Sequence, residues 1–324
     1  MTAQEYITAK LQSLSESEEI KHISSDSLED TIYAKVMSKK FRKLKADDVA
    51  IKNAKTVIHN SVTSNEPITF YTLFGGNKLW RFDEAPEIDW AELFVVMYYV
   101  NYLRSVTSFY SPGAKFMFYS QNISVERLNN VPYSETESYT KSFNQLIDWL
   151  KQYLPNNIEL TYHQHAEEYK NHVDYYAEIE AIKEKMLKES NGKLPVMSPE
   201  QHVATELNVR LKPGQSDDPM WREKVELEHQ AIFKTRSLQK LFAEEEKSLI
   251  SVSPTPYTGC IALGSTKKSL AKFWAGVGAL ERSDDKFTEL VITPKQLAAA
   301  KFDWEDVNID GLAGKNFSKI RVLK

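Results

Sequence analysis

The sequence predicts an α/β protein: a mostly parallel sheet with helices on both faces, preceded by an amino-terminal helical layer. Two observations carry this. Between Pro67 and His163, short runs rich in β-branched and aromatic residues alternate with longer segments of helical period, the pattern of parallel strands joined by crossover helices. Before about residue 60 the apolar residues recur at helical spacing instead.

In that first layer Ile32, Val36, Phe41 and Leu44 fall on one stripe. Lys39, Lys40, Arg42, Lys43 and Lys45 place five cations in seven residues, a run that reads first as a solvated helix face and second as a phosphate or nucleic-acid patch. The texture changes at Pro67. Ile68 to Phe74 reads as a buried strand that stops at Gly75-Gly76. Asp89 followed three residues later by Glu92 is a capping box, and Leu93, Val96, Val100, Leu103 and Val106 carry the helix it opens to near Tyr110. Ser111-Pro112-Gly113 is a turn, and Ala114 to Ser120 is a second strand.

The pattern then repeats. Ser134 and Glu137 have capping-box spacing before a helix bearing Tyr139, Phe143, Leu146, Ile147 and Leu150, and Ile158 to His163 alternates like a strand. Residues 166–190 read as a charged helix. Residues 191–219 hold four prolines, two glycines and a short helix opened by Ser198-Pro199, so a lid or linker is expected there. A helix over 219–247, strands Leu249 to Val252 and Cys260 to Leu263, a helix over 269–281, a strand Glu289 to Thr293 and a helix opened by Pro294 complete the reading.

Charge and composition narrow the function classes. The 41 Lys and Arg against 45 Asp and Glu leave a net charge of -4, so neither nucleic acid nor a membrane surface is an expected partner. The longest apolar run, Leu93 to Val100, is far short of the roughly 20 residues of a membrane span. Met1 to Glu19 lacks the apolar centre of a signal peptide, so a cytoplasmic location is expected. The one cysteine, Cys260, allows neither an internal disulfide nor a cysteine-rich zinc site, and it reads as a buried inert thiol.

Ligands of parallel sheets bind beyond the carboxyl ends of the strands. The loop after the first strand therefore stands out: Gly75 and Gly76 permit close backbone approach, and Asn77, Lys78 and Arg81 add an amide, an ammonium and a guanidinium suited to a phosphate or carboxylate. Its spacing is neither that of a phosphate-binding P-loop nor that of a dinucleotide fingerprint. Glu87, Asp89 and Glu92 follow. Asp89 reads first as a cap, while Glu87 and Glu92 are open to a role as base or amine-orienting group. After the second strand Gln121, Asn122, Glu126, Arg127, Asn129 and Asn130 offer hydrogen-bonding groups, as ligand contacts or as turn material. His163 and His165, two apart, would share one face of a strand and suit a metal if Glu167 or Glu168 joined them, but no third ligand is set by local spacing. No metal or other cofactor is therefore expected.

The central part of the chain resembles the isocyanide (isonitrile) synthase family, which includes pyoverdine and dityrosine biosynthesis proteins. The resemblance rests on Pro-Ile-Thr-Phe (67–70) leading into Phe-Gly-Gly-Asn-Lys (74–78), Ala-Pro-Glu-Ile-Asp-Trp-Ala-Glu (85–92), and Tyr-Ser-Pro-Gly-Ala-Lys (110–115) running into a strand that ends at Ser120. It covers 60–150, and more loosely 219–265. It implies a Rossmann-like domain over 61–324, with the charged helix and lid at 166–219, behind the 1–60 helical layer. It also implies a biosynthetic activity of secondary metabolism, transferase or lyase in type, that joins an amino acid amine to a sugar phosphate such as ribulose 5-phosphate. By the same resemblance Lys78, Glu92 and Arg236 take catalytic positions, and the strand-end reading above places Gly75, Gly76, Asn77, Arg81, Gln121, Asn122 and Arg127 around the substrates. Two departures mark this chain: Ser120-Gln121-Asn122 stands where the family has Ser-Asp-Gly, and Ser253 stands where it has a histidine before Pro254. A non-catalytic binding protein that keeps the fold, and a metal-dependent enzyme using His163 and His165, are the alternatives.

Overall fold

In the computed structural model of the chain, the structure describes residues 1–16, 25–74, 87–254, 256–264, 276–284 and 286–323. The first layer holds α1 (Ala3–Ser15), α2 (Ser25–Val36) and α3 (Asp48–Ser64). Thr2 and Glu5 close a capping box on α1, Asp47 caps α3, and Asn65 ends α3 in the left-handed conformation. The helical stripe expected through Phe41 and Leu44 breaks after Val36. Phe41 is buried edge-on against Tyr98 and Tyr102, whereas Leu44 is exposed. The backbone at 41–43 instead pairs with 262–264, through an Arg42–Leu263 bridge and a Lys43 N–H to Ala262 carbonyl bond of 2.7 Å. The cationic run therefore borders a sheet edge instead of decorating a helix, and charge there discourages further strand addition.

The parallel sheet follows: β1 (Ile68–Phe74), α4 (Trp90–Thr107), β2 (Ala114–Ser120), α5 (Asn122–Asn129), α6 (Tyr133–Leu150) and β3 (Ile158–Gln164). Next come α7 (His172–Glu189), α8 (Pro199–Asn208), α9 (Trp221–Phe233), α10 (Arg236–Ser248), β4 (Leu249–Ser253) and β5 (Ile261–Ala262). Strand order is β3-β2-β1-β4-β5, and every neighbouring pair is parallel. Period-two alternation sends Phe70 and Phe74 of β1 to one face, packed with Tyr102 and Phe143, and Tyr71 to the other, packed with Ile179, Ile232 and Leu241. Helices thus cover both faces, as expected.

Three local expectations are corrected. Ser134 and Glu137 form no capping box, because α6 already starts at Tyr133 behind Pro132, whose side chain caps nothing. The helix expected over 219–247 is two helices broken at Lys234 and Thr235, where Thr235 turns to extended backbone to start α10. The helix expected over 269–281 is replaced by a strand in its described portion, β6 (Val277–Ser283), while 269–275 lie outside the described residues. Val277 and Ala279 are buried in a small cluster with Leu290 and Ile292, and Leu280 is buried in the main core. A strand buried on both faces loses its alternation and can imitate a helical spacing.

β6 belongs to a second, four-stranded sheet with β7 (Lys286–Ile292), β8 (Phe302–Asp306) and β9 (Lys319–Leu323), in the order β7-β6-β9-β8; α11 (Pro294–Ala299) links β7 to β8. This sheet is mixed: β6–β7 and β8–β9 are antiparallel and β6–β9 is parallel. It packs on α4, which therefore lies between two sheets, and this explains why α4 is apolar on nearly every side. Gly278 makes the approach possible, since a Cβ there would stand 2.4 Å from both the Ala91 nitrogen and the Trp90 Cβ.

Candidate active site at the carboxyl edge of the parallel sheet

The chain passes from β1 outward through β2 to β3, then returns to the other side of β1 through β4 to β5, so the switch point lies between β1 and β4. Ligands of doubly wound sheets bind at the carboxyl ends around such a point. The segment leaving β1 there carries Gly75, Gly76, Asn77, Lys78 and Arg81, and all five lie outside the described residues. The described site is what surrounds the ends of β1 at Phe74, β2 at Ser120 and β3 at Gln164.

On the face covered by α4 and α6, Glu92 is wholly buried. One oxygen accepts the Asp89 N–H at 2.8 Å in the expected capping box, and the other accepts the Tyr139 hydroxyl at 2.9 Å. Burial first, and the Glu92 charge second, push the Tyr139 hydroxyl far above the ordinary tyrosine range, so it stays a donor to that carboxylate. Asp89 caps α4 through the Ala91 N–H at 2.7 Å and also accepts the Gly278 N–H at 3.1 Å, joining the cap to the second sheet. Beside this group, the Tyr162 hydroxyl and the Thr140 Oγ1 are buried. Burial pushes the Tyr162 hydroxyl up to about 12.

On the opposite face, a cavity of about 390 Å³ opens between the ends of β1 and β2 and the helices α5, α8 and α9. Gln121 lines it. Its backbone N–H is fixed to the Phe74 carbonyl at 2.9 Å, while its side-chain Nε2 is buried with no partner among the described residues. Leu73, Val125, Leu128 and Val225 supply apolar wall, and Glu226 and His229 face in from α9. The Glu226 carboxylate accepts from Gln230 at 2.8 Å and lies 3.6 Å from His229; the bond to His229 is the leading cause that holds its carboxyl below the usual range. The segment expected as lid or linker supplies one wall, through Gln201, Ala204, Thr205 and Asn208 of α8 and Val209. It is tied down where the Asn129 side chain donates to the Asn208 carbonyl at 2.6 Å and the Arg210 N–H to the Asn129 carbonyl at 2.9 Å.

The other sequence-selected residues lie apart from these groups. Arg127 is engaged by Glu180 and Glu228 and stacks on Tyr176, at the edge of a separate surface recess with Lys183, Lys212 and Lys224. Arg236 begins α10 on the face opposite Glu92; its guanidinium lies 4.4 Å above the Tyr169 ring and 3.7 Å from Glu178. Asn122 opens α5, and its side chain is outside the described residues. His163 and His165 do not share a strand, because β3 ends at Gln164 and a 3-10 turn begins at His165. His163 is 3.8 Å from Glu167, and among the described residues no three His, Cys, Asp or Glu side chains converge on a metal-sized site. Cys260 is buried as expected, and burial pushes its thiol up to about 12.

Glu226, His229, Tyr139 and Tyr162 escaped sequence reasoning. The first two look like part of the charged surface of a helix, and the tyrosines look like core; only the packing of α8 on α9 and of α6 on β3 gives them a site.

The fold and site define an α/β protein with a cavity of small-molecule size at the carboxyl edge of a doubly wound sheet. Among solved structures, the chain is similar to the PvcA protein from Pseudomonas aeruginosa, with a TM-score of 0.60 and 16% identity over 91% of this chain and 100% of PvcA. At that identity the likeness establishes a shared fold. No family model matches the chain. No curated protein matches it in sequence. Among the described residues, no helix is long and apolar enough to cross a membrane.

Proposed function

We propose that this chain is an isonitrile-synthase-like biosynthetic enzyme that condenses an amino acid amine with a sugar phosphate such as ribulose 5-phosphate. The observation that carries the reading is the conjunction, at one edge of a PvcA-like fold, of the Gly75-Gly76-Asn77-Lys78 sequence following β1 with the Gln121 cavity beside the end of β2. In the first step the amine nitrogen adds to the sugar carbonyl carbon and water leaves, which requires cations for the phosphate and groups that pass protons. Lys78 and Arg81 are the phosphate-binding cations of this reading, Gly75, Gly76 and Asn77 its further substrate contacts, and Lys78 and Glu92 its catalytic groups; Arg236, the third catalytic position of the resemblance, lies on the opposite face against Tyr169 and Glu178.

The test is incubation of the protein with ribulose 5-phosphate and a panel of amino acids, followed by mass spectrometry. Consumption of one amino acid, with sugar-phosphate binding weakened by Lys78→Ala and Arg81→Ala, is the expected result. If no amino acid is consumed and neither substitution changes sugar-phosphate binding, the reading fails. A second reading, a non-catalytic binding protein that kept the fold, is favoured by one observation: both oxygens of Glu92 are already engaged in holding α4 and α6 together.

A further inference from the structure

We propose that the cavity beneath α8 is the seat of the amine substrate, with Glu226 receiving its ammonium group, Gln121 donating to one of its oxygens, and Leu73, Leu128 and Val225 enclosing an apolar side chain. The proposal rests on the preceding reading only in identifying this ligand as the substrate; the binding site itself stands on its own geometry.

Charge selects the class of ligand. The cavity lining contains no lysine or arginine among the described residues, and its formally charged group is Glu226, whose side chain is 13% exposed. A carboxylate accepts at about four lone-pair positions. The Glu226 contacts with Gln230 and His229 therefore leave capacity for an ammonium. In a partly desolvated recess, such a charge-assisted bond is about twice as strong as a neutral one.

Hydrogen bonding selects the other end. The Gln121 amide nitrogen is buried and unpartnered among the described residues, and a buried donor without an acceptor costs roughly 1–3 kcal/mol. A carbonyl or carboxylate oxygen of a bound ligand removes that cost. A glutamine donates here where an aspartate, the residue of the resembled family, would only accept, so this position favours a ligand that brings an acceptor. The volume of about 390 Å³ lies in the ordinary range for small-molecule sites, roughly 300–1,000 Å³. An ammonium, an oxygen acceptor and an apolar group together describe a hydrophobic amino acid or its amide.

Calorimetric titration of the full chain tests this with L-phenylalaninamide, 3-phenylpropanamide, which lacks the amine, and phenethylamine, which lacks the carbonyl. L-phenylalaninamide is expected to bind about tenfold more tightly than 3-phenylpropanamide, and Glu226→Gln, which keeps the helix and the shape, should erase that difference. Gln121→Leu should weaken L-phenylalaninamide and leave phenethylamine unchanged. Thermal unfolding of both variants, read beside the titrations, shows that the fold is intact. Absence of binding, or binding that neither substitution changes, overturns the proposal. If the probes bind as expected while no amino acid is consumed with ribulose 5-phosphate, the reaction is wrong and the site stands. If an amino acid is consumed and Glu226→Gln leaves its KM unchanged, the reaction stands and the site is wrong.

Discussion

The carboxylate of Glu92 is shared between two helices: it closes the α4 capping box on the Asp89 N–H at 2.8 Å and receives the Tyr139 hydroxyl of α6 at 2.9 Å. A buried charge held in this way is costly to disturb, because removing it loses both the cap and a charge-assisted bond. Glu92→Ala is therefore expected to lower stability by about 2–4 kcal/mol and Tyr139→Phe by about 1–2 kcal/mol in urea denaturation. Glu92→Gln separates structure from chemistry: a variant with near-normal stability and no turnover would assign the carboxylate to the reaction.

Gly278 decides whether the second sheet can dock. Its N–H donates to Asp89 at 3.1 Å, and a Cβ would collide with α4 backbone at 2.4 Å. Backbone cannot rotate away as a flexible side chain can. Gly278→Ala is expected to cost about 1–3 kcal/mol or more, seen as a lower thermal midpoint, whereas alanine at the open position Gly192 meets nothing within 4 Å and carries only the penalty of its positive φ.

The Arg127 pairs predict a coupling. Glu228 is largely buried and shared between Arg127 at 2.5 Å and Lys183 at 2.7 Å. Arg127→Ala strands part of that charge and should cost about 1–3 kcal/mol, with Glu228→Gln in the same chain recovering a portion. A double-mutant cycle measures it. Absence of coupling would free Arg127 for the substrate contact expected from its place after β2.

Cys260 should be unreactive. With its thiol pushed up to about 12, only a trace is thiolate at about pH 8, so a disulfide reagent should label it slowly in the native protein and quickly in urea. The stability sign follows from linkage. The folded state keeps the proton more tightly than the unfolded chain, so this contribution is complete below about pH 8.5 and is lost as pH rises toward about 12. Rapid native labelling would contradict the burial.

α8 contributes no buried residue, yet it walls the Gln121 cavity. Elements with little buried apolar contact open locally first. Amide hydrogen exchange over 199–208 should be on the order of a hundredfold faster than over the buried helix α4, and binding of L-phenylalaninamide should slow it.

The elements with strong local signatures were legible in the sequence. The capping box at Asp89 and Glu92, the Ser198-Pro199 start and the β-rich runs at 68–74, 114–120 and 158–163 declare themselves because caps and strand periods are set by neighbouring residues. The strand at 277–283 and the mixed sheet around it did not, because burial on both faces removes the alternation that marks a strand. The candidate site divides in the same way. Gln121 was recognisable from its place after a strand, but Glu226 and His229 gain meaning only when α9 and α8 close over the end of β1.

By itself, the sequence determined the α/β class, the alternation of strands and helices between Ile68 and His163, and the caps that open α4 and α8. Those properties follow from residue spacing along the chain. Tertiary structure decided that α4 lies between two sheets, that Glu92 is tied to Tyr139, and that a carboxylate and an amide separated by 105 positions in the chain face one cavity. These depend on contacts between segments remote in sequence, and local periodicity carries no record of them.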